Sequence, residues 1–195
     1  MIASRAALQD LASILVSLYA RDLEQIERMA RLVTATLRRK RTVFFCGNGG
    51  SAAEAQHLAT ELTVRYVRDR EALPAVALSA DGAVLTAAGN DLGFDRVFAR
   101  QIEALGRRGD LLVAMTTSGR SRNVIEACRA ARARGMGIIG LTGAGGVAFA
   151  RRCDLALRVP SRDTARIQEI HLLVGHILCA RAEETARGIR TRRDR

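Results

Sequence analysis

The chain has 195 residues, enough for one ordinary domain with a sizeable core and too few for two independent enzymatic domains. Hydrophobic residues make up 48% and charged residues 26%, which excludes a disordered chain, and no apolar run approaches the ~20 residues that span a bilayer. Lys+Arg 31 against Asp+Glu 20 leave +11, but only Lys40 is a lysine, an arginine skew that the codon usage of a GC-rich genome produces without an anionic partner.

Residues 6–39 read as one long helical arm. Leu8, Leu11, Ile14, Leu15, Leu18, Leu23, Ile26, Met29, Leu32, Val33 and Leu37 recur at three- and four-residue steps, and no proline interrupts them. An amphipathic arm of that length has an apolar face to cover, and a second copy of the chain is the natural cover. After Arg41 the period changes. Short apolar runs at 42–46, 75–78, 111–115, 137–141 and 155–159 each lead through a Gly-, Ser- or Asp-bearing turn into a helical pattern. The expected helices are 51–66, about 83–88, 95–107, 121–134, about 147–151 and a last one from about 164 to 186. Strands apolar on both faces, alternating with helices, predict a three-layer, doubly wound α/β fold around a five-stranded parallel sheet. The core then spans 40–186, within a single domain of 1–195. The tail 187–195 holds five arginines and one aspartate, so it supplies +4 of the +11 and is expected to be disordered.

Aromatic residues are 4% of the chain, which leaves little for base stacking, so neither nucleic acid nor membrane is expected as a partner. Cys46, Cys128, Cys153 and Cys179 lie far apart with no CxxC pair, and residues 1–10 lack the apolar core of a signal peptide. Reduced thiols in a cytoplasmic protein follow.

In doubly wound sheets ligands bind beyond the carboxyl ends of the strands. The first such loop, Cys46-Gly47-Asn48-Gly49-Gly50-Ser51, leaves a strand and enters a helix, with Ser51 at the expected N-cap. A glycine-rich turn brings backbone N–H groups against a ligand, and a helix N-terminus favours anions. The spacing matches neither a dinucleotide fingerprint nor a Walker loop. The second loop, Thr116-Thr117-Ser118-Gly119-Arg120-Ser121, offers four hydroxyls and a glycine without a carboxylate, as a phosphomonoester requires. His57 and Glu61 stand i, i+4 on one helix face, where they can hold a divalent metal or form a surface ion pair. The last helix carries Gln168, His171 and His176. Gln168 and His176 differ by about 80° in phase and about 12 Å along the axis, so they share a ligand only by leaning together or with help from a neighbouring subunit. His171 lies off that face and is expected to pack or cap.

Cys-Gly-Asn-Gly-Gly-Ser at 46–51, the His57–Glu61 helix, Gly89-Asn90-Asp91, Thr-Thr-Ser-Gly-x-Ser at 116–121 and Arg-Ile-Gln-Glu-Ile-His followed by His176 together resemble the sugar isomerase (SIS) domain family, and within it the phosphoheptose isomerases. The resemblance covers about residues 6–186. It implies a homotetramer that interconverts sedoheptulose 7-phosphate and D-glycero-D-manno-heptose 7-phosphate, at the entry to heptose for surface polysaccharide. It implies substrate contacts from Asn48, Gly49, Gly50, Ser51, Glu61, Asn90, Asp91, Thr116, Thr117, Ser118, Ser121 and Gln168. It also implies one zinc ion held by His57, Glu61, Gln168 and His176. Arg120 departs from the asparagine more usual in the second loop and is expected to face solvent. Ala165 stands where some members carry an acid.

Aldose–ketose isomerisation through a cis-enediol needs a base and a proton carrier; Glu61 and His176 are the candidates for these catalytic roles. A non-catalytic relative that binds the bacterial replication initiator is the competing reading, and the presence of His176 weighs against it. A DNA-binding regulator would need a binding module outside the α/β region, and the chain shows none.

Overall fold

The structure, a computed structural model, describes residues 2–186, with side chains from residue 4; the basic tail lies outside the described residues. The chain runs α1 (Ile2–Arg21), α2 (Leu23–Arg38), β1 (Val43–Cys46), α3 (Gly50–Thr63), β2 (Ala75–Ala77), α4 (Gly82–Leu92), a 3₁₀ turn (Phe94–Arg96), α5 (Ala99–Leu105), β3 (Leu111–Thr116), α6 (Arg122–Ala133), β4 (Gly137–Gly143), α7 (Val147–Ala150), β5 (Leu155–Val159) and α8 (Thr164–Glu184). All five strands pair in parallel in the order β2-β1-β3-β4-β5.

The side-chain alternation of each strand divides the core into two layers. Val43 and Phe45 join one cluster with α2, α3 and α8, whereas Phe44 and Cys46 join the other with α4, α5, α6 and α7. β1 and β3 are buried throughout, which is why their sequences read as continuous apolar runs. Two carboxylates fasten the amino-terminal edge of the sheet. Asp110 accepts from the N–H groups of Thr42 at 2.9 Å and Arg107 at 2.8 Å, and Asp154 accepts from Ile138 N–H at 2.8 Å.

The N-terminal arm differs from the expected single helix. It breaks at Asp22, whose backbone (φ −118°, ψ 0°) leaves helical geometry and caps α2. The reason is tertiary: α2 has a sheet to cover and α1 does not. Ile26, Met29, Ala30, Val33 and Leu37 of α2 bury against β5 and α8, and Gln25 donates to Ala156 C=O at 3.3 Å. Among the described side chains of α1 only Ile14 and Leu18 are buried, while Leu8, Val16 and Tyr19 are 70%, 71% and 76% exposed. Two helix limits also moved. α4 extends through Asn90 and Asp91, and the helix expected over 95–107 divides at Val97 into the 3₁₀ turn and α5.

α3 and α8 run in the same direction, side by side. A Cβ on Gly175 would collide with the side chain of Leu58, so glycine is what lets the helices approach this closely. His171, expected to pack or cap, is completely buried on the sheet side of α8. Burial pushes its imidazole down to about 4, against the backbone of Thr142, so it is neutral in the folded chain. In the unfolded chain it titrates near its ordinary value. The unfolded state therefore binds more protons between about pH 6.5 and 4, and stability falls as pH drops through that window. Replacing His171 by leucine should remove this contribution. The difference in thermal stability between His171→Leu and wild type is expected to move in favour of the variant by up to about 3 kcal/mol between pH 7.5 and pH 4.5; melting curves at the two pH values check it.

Candidate functional site

The strand order reverses between β1 and β3: from β1 the chain moves to β2 on one side and then to β3 on the other. The loops after these two strands therefore open into one crevice, and the sequence had placed its glycine and hydroxyl motifs on them. They are joined by a reciprocal amide pair. Asn48 Nδ2 donates to Asn123 Oδ1 at 2.9 Å, and Asn123 Nδ2 donates to Asn48 Oδ1 at 2.7 Å. Asn123 is 2% exposed, and its Oδ1 also accepts from Val124 N–H at 3.0 Å, which fixes the first turn of α6. Sequence reasoning missed Asn123, although it lies two residues beyond the hydroxyl motif.

Each loop is held by close backbone approach. Gly49 has φ +56° and occupies the N-cap of α3 in place of the expected Ser51, which is buried inside the first turn. A Cβ on Gly47 would meet Ser51 Cβ at 2.6 Å, and one on Gly50 would collide with the Gln168 amide. In the second loop Gly119 has φ +68° and packs on Gly146. Thr116 Oγ1 and Ser121 Oγ lie 3.0 Å apart, so Ser121 turns its hydroxyl to the strand end rather than capping α6. Ser118 Oγ accepts from Arg120 N–H at 3.1 Å, while the Arg120 side chain is exposed, as expected. Asn90 and Asp91 sit exposed at the end of α4, with Asn90 Nδ2 donating to Asp91 Oδ1 at 2.8 Å.

Further along the α3–α8 seam, three donors converge. His57 Nε2 and His176 Nε2 are 2.8 Å apart, and His57 Nε2 is 3.4 Å from Glu61 Oε1. One ligand atom from each residue lies within 4.8 Å of the other two. Tetrahedral zinc with bonds near 2.0–2.1 Å separates its ligand atoms by about 3.3 Å, so the donor set and its spacing fit a divalent ion. Burial, and then His57 beside it, hold the His176 imidazole below its ordinary value, against the pull of Glu61. The ring is neutral at neutral pH, and the histidine contact is a hydrogen bond from one ring to the other.

The Gln168 amide rests on Gly50, about two turns of α3 before His57. Glu54, one heptad before Glu61 on α3, is buried, and burial pushes its carboxyl up to about 7. A cavity of about 790 Å³ beside the edge strand β2, lined in part by Val76, Val84, Gln101 and Leu105, contains none of the sequence-predicted residues. The donor group instead opens to solvent, with the His57 side chain 46% exposed in a single chain.

Residues 8–143 match the model of the SIS domain family. The chain belongs to the SIS domain family. This SIS domain is 55% identical over 159 residues to the phosphoheptose isomerase of Rhodospirillum rubrum, a match that covers 82% of this chain and 85% of the relative. It is 52% identical to that of Campylobacter concisus, over 85% and 88% of the two chains. Among solved structures, the phosphoheptose isomerase of Neisseria gonorrhoeae superposes with a TM-score of 0.87 at 42% identity, covering 95% of this chain and 100% of the other. That of Francisella tularensis gives 0.89 at 35%, covering 93% and 96%. The family match ends at β4, so both histidines and the glutamine of α8 lie beyond it, while both structural superpositions extend across most of the chain.

The amide bridge ties the two loops together. Asn123→Ala leaves the Asn48 side chain without a partner, at a cost of about 1–3 kcal/mol. It should lower the melting temperature and, by loosening both loops, weaken binding of inorganic phosphate; calorimetry of the variant in phosphate checks both.

Proposed function

We propose that this SIS domain interconverts sedoheptulose 7-phosphate and D-glycero-D-manno-heptose 7-phosphate, with the phosphate held by the two loops and the proton transfer carried out along the α3–α8 seam. The observation that carries the reading is the convergence of His57, Glu61 and His176 in a chain whose relatives at 52–55% identity are phosphoheptose isomerases.

The hydroxyls of Thr116, Thr117, Ser118 and Ser121 and the N-termini of α3 and α6 surround an anion without opposing carboxylates. Asn48, Gly49, Gly50, Ser51 and Gln168 contact the sugar from the glycine loop, and Asn90 and Asp91 from the end of α4. In the chemical step the Glu61 carboxylate removes the proton from the carbon beside the carbonyl. The released electron pair forms the carbon–carbon double bond of the cis-enediol, and the carbonyl oxygen takes a proton delivered by His176. Returning the proton from Glu61 to the former carbonyl carbon, while His176 takes the hydroxyl proton from the carbon that first lost its hydrogen, places the new carbonyl there and gives the isomer. The neutral His176 ring carries one N–H and one lone pair, so it can donate towards the carbonyl oxygen and accept from the neighbouring hydroxyl.

His57, Glu61 and His176 would hold a zinc ion, which when bound supplies Lewis acidity towards the substrate carbonyl. Glu61 has two oxygens, so one can bind the metal while the other acts as base. His176 Nε2 has one lone pair, so ligation and proton carriage there are alternatives. Glu61→Gln and His176→Ala should each lower turnover of sedoheptulose 7-phosphate by at least about 1000-fold while leaving the circular dichroism spectrum unchanged. Near-wild-type turnover in either variant overturns the assignment. Comparing turnover with and without a chelator distinguishes a reacting site that needs the ion from one that does not.

The seam's exposure and the uncovered apolar residues Leu8, Val16 and Tyr19 of α1 support a homotetramer in which neighbouring chains cover both. Light scattering should give a mass of four chains, and a Val16→Glu/Tyr19→Glu variant should dissociate. A phosphorylated substrate and four free cysteines fit a cytoplasmic protein, with neither nucleic acid nor membrane as a partner.

A further inference from the structure

Beyond His176, α8 carries a second polar residue on the same face. Glu183 lies one heptad later, 3% exposed, at the level where the chain leaves α3. Its carboxylate accepts three successive backbone N–H groups, from Tyr66 and Val67 at 3.0 Å each and from Arg68 at 2.9 Å. Such a run of N–H groups forms an anion-binding nest, occupied here by a side chain of the same molecule. Burial works against the charge on Glu183, but the N–H groups of Arg68, Val67 and Tyr66 and then Arg70 outweigh it and hold the carboxyl below its ordinary value. Arg70 completes the device. Its side chain is fully buried, with Nε 3.4 Å from Glu183 Oε1. Its Nη2 donates to Glu61 C=O at 2.8 Å and its Nη1 to Glu71 C=O at 2.9 Å.

Two consequences reach the donor group. The guanidinium caps the carboxyl end of α3 at the carbonyl of Glu61 itself, where both the free carbonyls and the helix dipole favour a cation. The nest also fixes Tyr66, whose ring packs on that of His176 with centroids 5.6 Å apart. One carboxylate thus holds the backbone of Glu61, through Arg70, and the ring of His176, through Tyr66, although neither Glu183 nor Arg70 touches the reacting groups.

We propose that Glu183 and Arg70 are positioning residues that set the spacing between Glu61 and His176 by locking the 64–71 segment between α3 and α8. The kinetic part rests on the isomerase reading above. A displacement near 1 Å is enough to cost about 100-fold in rate, and loss of a residue that orients metal ligands costs about 10–100-fold in affinity.

The test compares Glu183→Ala, Glu183→Gln and Tyr66→Leu with wild type, each measured well below its own melting temperature. For Glu183→Ala the expected result is kcat reduced about 10–100-fold with KM within about twofold, and Zn²⁺ affinity, read by competition with a chromophoric chelator, reduced about 10-fold or more. Glu183→Gln keeps an acceptor oxygen for the nest and should recover most of both losses. Tyr66→Leu should lower kcat and Zn²⁺ affinity in the same direction. A lower melting temperature with wild-type kcat and wild-type Zn²⁺ affinity overturns the proposal, because a merely structural clamp would give that pattern. If Glu183→Ala does not fold, Tyr66→Leu decides by the same two readouts. If wild type does not isomerise the heptose phosphate, the isomerase reading fails and the Zn²⁺ comparison alone decides this one.

Discussion

The close approach of α3 and α8 is the constraint on which the rest of the site depends. Gly175 removes the side chain that would hold the helices apart, and Leu58 fills the space. With the axes that close and running the same way, residues at matching heights meet in pairs. Gln168 meets Gly50, His176 meets His57, and Glu183 meets the segment that follows α3. Antiparallel helices would pair the ends in the opposite order and separate the histidines from each other. The arrangement follows from the topology. Both helices follow strands of one parallel sheet, and both lie on the same face.

Polar groups along this seam are graded by burial. At the open end, His57 and Glu61 keep access to solvent. At the closed end, Arg70 and Glu183 are almost entirely removed from water, which stabilises such a pair only when further hydrogen bonds satisfy both partners. Three backbone donors satisfy the Glu183 carboxylate and two backbone carbonyls take the terminal nitrogens of Arg70, while among the described residues Arg70 Nε has only the ion-pair contact with Glu183 at 3.4 Å. A buried, hydrogen-bonded network next to an open group of donors is a division of labour that a single helix pair can carry.

Much of the fold was legible in the sequence because its signal is local. All five strands form where short apolar runs preceded glycine or hydroxyl turns, and the two ligand loops stand where the strand-to-helix junctions placed them. The departures have physical causes. The arm divides at Asp22 because α2 finds a sheet to bury against and α1 finds none among the described residues. Ser51 yields the N-cap to Gly49 because the turn requires a positive φ there.

By itself, then, the sequence determined the alternation of strands and helices, the family, and the residue types that the chemistry needs. Those are set by spacing within one segment, where helical phase and strand alternation are fixed by covalent geometry. Which of them meet was decided only in three dimensions. Asn48 and Asn123 are 75 residues apart, His57 and His176 are 119 apart, and Tyr66 and Glu183 are 117 apart. No periodicity in a chain reports contacts at that separation, because they exist only once a common sheet has brought α3, α6 and α8 into register.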